Sequence, residues 1–358
     1  VSPETLDHGH LTLRRGGAGR ARLRLVPAAP LRIVDVVPDD GPGALRTYLD
    51  AKSRLAAHTG ELHHDVLVRG RSRSRTALAA RLRALAPDVV LLHDPWPAPL
   101  DLVACARGLG ARTVAVHHGS SEAQAAVLPG PSRAHLPAVR AQRRRLAREV
   151  DAVMGLPATT ADSRRVATLA VAMGVDDAFR PRADVRRGDH VLYVGRLARG
   201  HGLFRLLDAA ARSADPWPLH LVGAGPLEDA LRTRAQHLGL GRRVSVAPDV
   251  RDRECLARRM AAARCVVVPG ALEPFGLVAL EAAACGTPVA GCLTAPALGL
   301  VGGLGHRFAP GDPTGLDRAI AAARAAGPDA EAGAVLAWRH AWDRVLREEL
   351  RRLRELAC

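Results

Sequence analysis

Residues 269–288 read Pro269-Gly-Ala-Leu-Glu273-Pro-Phe-Gly276-Leu-Val-Ala-Leu-Glu281-Ala-Ala-Ala-Cys-Gly286-Thr-Pro288. The apolar run Cys265–Val268 in front of them has the length of a buried strand and stops at Pro269. A loop then carries Glu273, and Pro274 suits the first helical turn, where its missing N–H costs nothing. Gly276 permits close approach of a ligand to the backbone, and the free N–H groups of Gly276, Leu277 and Val278 point outward at whatever sits above them. A helix N-terminus presented this way is an anion site suited to phosphate. Glu281 lies one to two turns further on. Two carboxylates flanking an anion site have no use for the phosphate itself, so they are expected to accept hydrogen bonds from hydroxyls. A sugar nucleotide offers both chemistries at once.

On either side of this block, apolar strands alternate with helices. The first series runs through strands 31–37, 64–68, 89–92 and 113–117, separated by helices near 45–58, 76–85 and 100–109. The second runs through strands 189–194, 219–222, 244–247, 265–268 and 288–290, with helices 203–213, 227–238, 255–263 and 277–284. Near-continuous apolar strands alternating with helices predict parallel sheets covered on both faces. The expected division is a poorly ordered tail at 1–29, a first α/β domain at 30–180, a second at 181–333 and a closing segment at 334–358. Phe179–Gly188, with four arginines, reads as a hinge. The closing segment reads as one amphipathic helix over 334–356, with Trp338, Trp342, Val345, Leu346, Leu350 and Leu353 at three- and four-residue spacing. Two such domains would face each other across a cleft at the C-terminal ends of their strands, where open α/β sheets bind ligands.

Composition narrows the possibilities. The 358 residues are 48% apolar and 24% charged, ordinary for a packed globular chain. No apolar run approaches the roughly 18 residues of a spanning helix, and no secretory signal is visible, so a cytoplasmic protein is expected. The formal charge is +15, but Lys52 is the only lysine among 51 basic residues. With Asn absent and Ala, Gly, Pro and Arg abundant, GC-rich coding accounts for much of that excess. Residues 1–187 nevertheless carry 29 basic and 18 acidic side chains, against 22 and 18 in 188–358. The surplus in the first half, including Arg140, Arg143, Arg144, Arg145 and Arg148, would suit an anionic partner such as a membrane surface. Without interleaved aromatics the basic residues do not point to nucleic acid. Six scattered cysteines show no metal spacing. No Gly-Lys-Ser/Thr phosphate loop, Gly-x-Ser-x-Gly elbow, His-Glu-x-x-His or Asp-x-Asp is present, which removes several nucleotide, hydrolase and metal-diphosphate chemistries.

In this company, Glu-x7-Glu within Glu-Pro-Phe-Gly-Leu-Val-x-Leu-Glu-Ala-x-Ala-x-Gly-x-Pro-Val closely resembles the retaining GT-B glycosyltransferases of family 4. The resemblance covers roughly residues 31–356 and takes in Val194-Gly195-Arg196-Leu197, Leu221-Val-Gly-Ala-Gly225-Pro226 and Phe308-Ala-Pro-Gly-Asp-Pro313. It implies two Rossmann-like domains, a final helix that returns to the first of them, and transfer of a hexose with retention from a UDP-, GDP- or ADP-sugar to a carbohydrate or lipid-linked acceptor. It also implies that no metal or other cofactor is required, that peripheral contact with an anionic membrane is in keeping, and that nucleic acid is not a partner.

Carried over by motif, Glu273 would hold hydroxyls of the donor sugar and Glu281 those of the ribose. Amides of Phe275, Gly276, Leu277 and Val278 would meet sugar and phosphate, Gly225 would border the donor, and Val250 would present backbone to the base. Arg196 would stabilise the leaving diphosphate. The family's lysine five residues later is His201 here, and free histidine is mostly neutral at pH 7; Arg199 is a nearby substitute. Gly43-Ala44 matches a glycine-rich loop whose second glycine has become alanine, narrowing access to phosphate. His118, in Val116-His117-His118-Gly119, falls where the family places a histidine near the donor sugar. His201, Ala44 and Pro248, the last at a usual glycine position, keep open a non-catalytic sugar-nucleotide-binding relative; a GT-B epimerase shares the architecture but not this motif context.

Overall fold

The protein is described by a computed structural model covering residues 29–38, 43–70, 75–94, 99–119, 132–155, 166–170, 173–271, 273 and 275–358. The proposed tail (but for residue 29), Gly41, Pro42 and Pro274 lie outside the described residues.

Two parallel six-stranded sheets organise the chain. The first contains β1 (Leu31–Val37), β2 (Leu62–Val68), β3 (Val89–His93), β4 (Arg112–His117), β5 (Ala152–Gly155) and β6 (Ala167–Leu169), in the order 2-1-3-4-5-6. The second contains β7 (Val191–Val194), β8 (Leu219–Val222), β9 (Val244–Ala247), β10 (Cys265–Val268), β11 (Val289–Cys292) and β12 (Gly305–Phe308), in the order 12-11-10-7-8-9. Each order reverses direction once, between β1 and β3 and between β7 and β10. Those switch points are where the loops leaving the strands part and open a crevice.

Helices α1 (Ala44–Thr59), α2 (Arg75–Leu85), α3 (Leu100–Gly108) and α4 (Ser132–Ala147) accompany the first sheet. Helices α5 (Leu203–Arg212), α6 (Glu228–His237), α7 (Arg253–Ala262), α8 (Leu277–Ala284) and α9 (Gly315–Ala326) accompany the second. The strand pattern explains the two-sided cover. In β1, Ile33 and Val37 pack with Tyr48 and Leu55 of α1, whereas Val34 and Val36 pack with Leu82 of α2 and Leu102 of α3. Alternating β1 side chains thus enter two separate cores, each fully buried aliphatic side chain stabilising the fold by about 1.5–3 kcal/mol. In α5, Leu203, Leu206, Leu207 and Ala210 form one buried stripe on the second sheet.

The closing segment is not one helix. It forms α10 (Ala330–Arg339) and α11 (Trp342–Ala357), interrupted at His340–Ala341. The interruption has a tertiary cause. The chain crosses between the two halves there, and Ala341 forms a parallel bridge with Val175, where the chain crosses the other way. Val175 N–H donates to the His340 carbonyl at 2.8 Å, and Trp342 N–H to Val175 at 3.3 Å. Trp338, expected on the apolar stripe, is 62% exposed with Arg344 over its ring, while Trp342 is buried. Helix α11 returns to the first half, where Glu349 accepts from Tyr48 Oη at 2.5 Å and Arg347 pairs with Glu61 at 2.7 Å.

Two other expectations change. The segment 179–188 is anchored: Phe179 is fully buried, and Arg187 donates to Thr287 Oγ1 at 2.9 Å and to the Ala263 carbonyl at 3.3 Å. The arginine run near 140–148 is not offered whole to an anionic partner, because Arg143 is buried and donates to the Gly119 carbonyl at 2.6 Å. Among the described residues no helix is long and apolar enough to cross a membrane.

Candidate active site

Helix α8 is apolar almost all round and buried, as such a helix must be. Its start is set by Gly276, whose φ of 69° and ψ of 28° lie in the left-handed region. A side chain there would be strained, so glycine is what lets the chain turn from the loop into the helix. Neither a capping side chain nor an acidic first-turn residue occupies this end. The first amides and the positive end of the helix dipole are therefore unmatched.

This helix end borders a cleft of about 860 Å³ walled by both halves of the chain. From the second sheet come the switch-point loops after β7 (Gly195, Arg196, His201) and β10 (Pro269, Gly270, Glu273), together with Leu277, Val278 and Glu281 of α8. Val250, Arg251 and Arg253 line the region after β9. From the first half come Gly43, Ala44, Arg46 and Thr47 at the start of α1, another helix end without a side-chain cap or an acid in its first turn. Two positive helix ends thus meet one cleft. A second cavity, of about 600 Å³ around Asp189, Trp217 and Arg324, lies at the N-terminal ends of β7 and β8. That is the wrong end of the strands for a ligand, and ion pairs of Arg324 with Asp189 and Asp215 occupy its wall.

The two glutamates differ in environment. Glu273 is partly exposed, with its carboxylate 3.7 Å from His201 Nδ1. Glu281 is buried, only 4% exposed, and its carboxylate is gripped by Arg253. Burial pushes the Glu281 carboxyl up, and the Arg253 charge and hydrogen bond oppose that rise. Arg253 also lies over the Phe179 ring, 4.5 Å from its centroid. The Arg196 backbone is fixed by Tyr193, whose hydroxyl donates to its carbonyl at 2.9 Å, leaving the guanidinium exposed at the cleft.

Arg196, His201, Glu273, Glu281, Leu277, Val278, Val250, Gly43 and Ala44 are therefore brought to one cleft. Phe275, Gly276 and His118 are buried and stand behind its lining. His118 stacks on Phe275, with ring centroids 4.3 Å apart. Gly225 is off the cleft lining, contrary to its expected place beside the donor. A β-carbon there would lie 2.3 Å from the Leu197 carbonyl oxygen, so this glycine serves the close packing of the loops after β7 and β8. Arg199 is exposed and off the cleft lining. Sequence reasoning missed Arg253 and Tyr193. Arg253 is one arginine among fifty, and only the fold brings α7 beside α8; Tyr193 could have been flagged by its place just before Gly195.

A cleft at paired switch points between two doubly wound sheets, closed by a helix that crosses back, is the GT-B architecture. The Glycosyltransferase Family 4 model matches residues 16–178 and the Glycosyl transferases group 1 model residues 178–298. The chain belongs to the group 1 glycosyltransferases. It is 38% identical over 209 residues to a D-inositol 3-phosphate glycosyltransferase of Mycobacterium avium (strain 104), covering 51% of this chain and 49% of that one. It is 35% identical over 233 residues to D-inositol 3-phosphate glycosyltransferase 1 of Catenulispora acidiphila, covering 56% and 55%. The chain thus spans about half the length of the curated relatives it matches. In fold it is similar to Anabaena Alr3699/HepE in complex with UDP and glucose, with a TM-score of 0.71 at 18% identity over 91% of this chain and 100% of that one. It is likewise similar to the sucrose-phosphate synthase of Thermosynechococcus elongatus, with a TM-score of 0.70 at 21% identity over 91% and 99%.

Proposed function

We propose that the chain transfers a hexose, with retention and without a metal ion, from a nucleoside-diphosphate sugar to a carbohydrate or lipid-linked acceptor. The observation that carries this reading is that Glu273, Glu281 and the uncapped start of α8 share one cleft with Arg196 and His201. In this reading the α8 amides receive the diphosphate, Glu281 accepts from the ribose hydroxyls and Glu273 accepts from the sugar. As the glycosidic bond breaks, negative charge grows on the leaving phosphate, and Arg196 supplies a fixed cation for it, with His201 beside it. The departing phosphate oxygen assists the incoming hydroxyl, so no protein nucleophile enters. The acceptor approaches from the α1 side, and closure of the two halves excludes water from the donor.

The relatives' names make D-inositol 3-phosphate an acceptor to include, and the UDP-glucose complex of HepE makes UDP-glucose the first donor to try. The test is a thermal-shift screen of UDP-, GDP- and ADP-sugars, followed by transfer assays with the donor that binds. Stabilisation by one donor, an anomeric NMR signal of retained configuration and a rate indifferent to chelator are expected. No stabilisation by any of them refutes the reading. A non-catalytic binder is favoured by Arg199 standing off the cleft beside His201, and would show donor binding without turnover.

A further inference from the structure

Arg253 is clamped between a buried ring and a buried carboxylate in the wall of the cleft. Asp252 caps α7, its side chain accepting from Cys255 N–H at 2.9 Å, and so fixes Arg253 as the first residue of the helix. From there the guanidinium lies 4.5 Å from the centroid of Phe179, a fully buried ring close to where the chain crosses between the two halves at Val175. Its Nη2 donates to Glu281 Oε1 on α8. Among the described residues no other side chain hydrogen-bonds that carboxylate. Helix α8 itself has nothing to hold it, since Glu281 is its only polar residue. An unpaired buried carboxyl rotates freely and tends to take up a proton. Burial does push the Glu281 carboxyl up, with the Asp176 charge adding to the rise and Arg253 opposing it. Only 5% of the Glu281 side chain is exposed, yet it lines the cleft. Which oxygen reaches the cleft therefore decides what Glu281 can accept from a ligand. With Oε1 on Arg253, Oε2 is the oxygen left.

We propose that Arg253 is a positioning residue for Glu281 and gives the site its preference for ribose over 2′-deoxyribose: seated on Phe179, it takes Oε1 and leaves Oε2 to the ribose hydroxyls. The role rests on the donor reading above. A guanidinium stays charged at any working pH and can only donate, so Oε1 is committed as an acceptor. Its planar fork, stacked on a ring, loses little freedom in making the bond. The carboxylate is thus aimed before the ligand arrives. Ribose then offers it two hydroxyls, whereas 2′-deoxyribose offers one and forgoes a charge-assisted hydrogen bond. Without Arg253 the carboxyl turns freely and is more readily protonated, and the second hydroxyl adds little.

The test is titration of the full chain, Arg253→Met and Arg253→Lys with UDP and 2′-deoxy-UDP, or with the GDP or ADP pair if that base stabilises the wild type. Methionine keeps an unbranched stem over Phe179 and removes the charge; lysine restores a charged donor. The wild type is expected to bind the ribose form about tenfold more tightly than the deoxy form. In Arg253→Met the ratio should fall to about twofold, with affinity for the deoxy form within about threefold of wild type, and in Arg253→Lys it should recover to about fivefold. General loosening of the site weakens both ligands alike and leaves the ratio where it was. An unchanged ratio in Arg253→Met, or one in Arg253→Lys as low as in Arg253→Met, overturns the proposal while leaving Glu281 on the ribose. A wild type that does not distinguish the two forms removes Glu281 from the ribose and the proposal with it. Failure of the wild type to bind any of the nucleotides instead removes the donor reading. If Arg253→Met does not fold, Arg253→Gln carries the same comparison.

Discussion

Replacing Glu281 with glutamine keeps the side chain's shape and removes its charge. The carboxylate offers two oxygens, whereas the amide offers one and adds a donor that ribose hydroxyls need less. Hydrogen bonds to an ionised group contribute about 1.5–3 kcal/mol. Losing one and weakening the other should cost about 2.7 kcal/mol, or roughly 100-fold in donor affinity. The fold should suffer far less. Arg253 keeps 32% of its side chain exposed and retains the Phe179 ring, so its orphaned charge reaches water. The burial that raises the Glu281 carboxyl marks a desolvation cost that the amide does not bear. A change of about 1 kcal/mol or less follows. The assay is donor-dependent thermal stabilisation. With donor at about 100 times the wild-type Kd, the wild type gains about 2.7 kcal/mol and the variant about 0.4 kcal/mol, at nearly equal ligand-free midpoints. A variant that folds and binds donor as the wild type does would falsify the assignment of Glu281 to the ribose.

Three further outcomes are expected. His201→Lys should raise the transfer rate more at pH 8 than at pH 6, since an ammonium keeps its charge where an imidazole ordinarily does not; an equal gain at both values rules out protonation as the issue. Lys52→Met should lower the denaturation midpoint by an amount equivalent to about 3–5 kcal/mol, because it strands the buried carboxylates of Asp35 and Glu349, which Lys52 meets at 3.2 and 3.1 Å; a neutral result would show that the pair of acids is solvated. Stability should also fall between pH 6.5 and 5. Burial depresses His117 to about 3 and His190 to about 4, so over this window the unfolded chain takes up protons that the folded chain refuses. The His117 share is about 2 kcal/mol at pH 5, and chemical denaturation with His117→Leu as control should show a flatter pH profile in the variant.

Both sheets were legible because their strands are short, apolar and separated by helices of recognisable period. Three strands escaped: β5, a buried Ala-Val-Met-Gly too short to show a period, β6, whose side chains are mostly exposed, and β12, whose Gly-His-Arg-Phe alternates too weakly to be noticed. The helix 334–356 was read as continuous because its apolar spacing runs through His340. The break comes from a backbone bridge to Val175, about 165 residues away in the chain, which no local pattern encodes. At the site, the glutamates, the uncapped helix and Arg196 could be named beforehand, since their chemistry depends on residue type and spacing along one strand–loop–helix unit. The partners that tune them could not. Arg253 on Glu281 and Phe275 on His118 join elements distant in sequence.

The sequence alone determined the α/β alternation, the uncapped start of α8 and the two acids near it, because backbone amides, helix period and residue type act locally. Only the tertiary structure decided that Gly225 serves packing, that Arg199 stands off the cleft, that α11 is clasped to α1 through Glu349, and that Arg253 grips Glu281. Those outcomes depend on which surfaces meet when two sheets and a returning helix exclude water together.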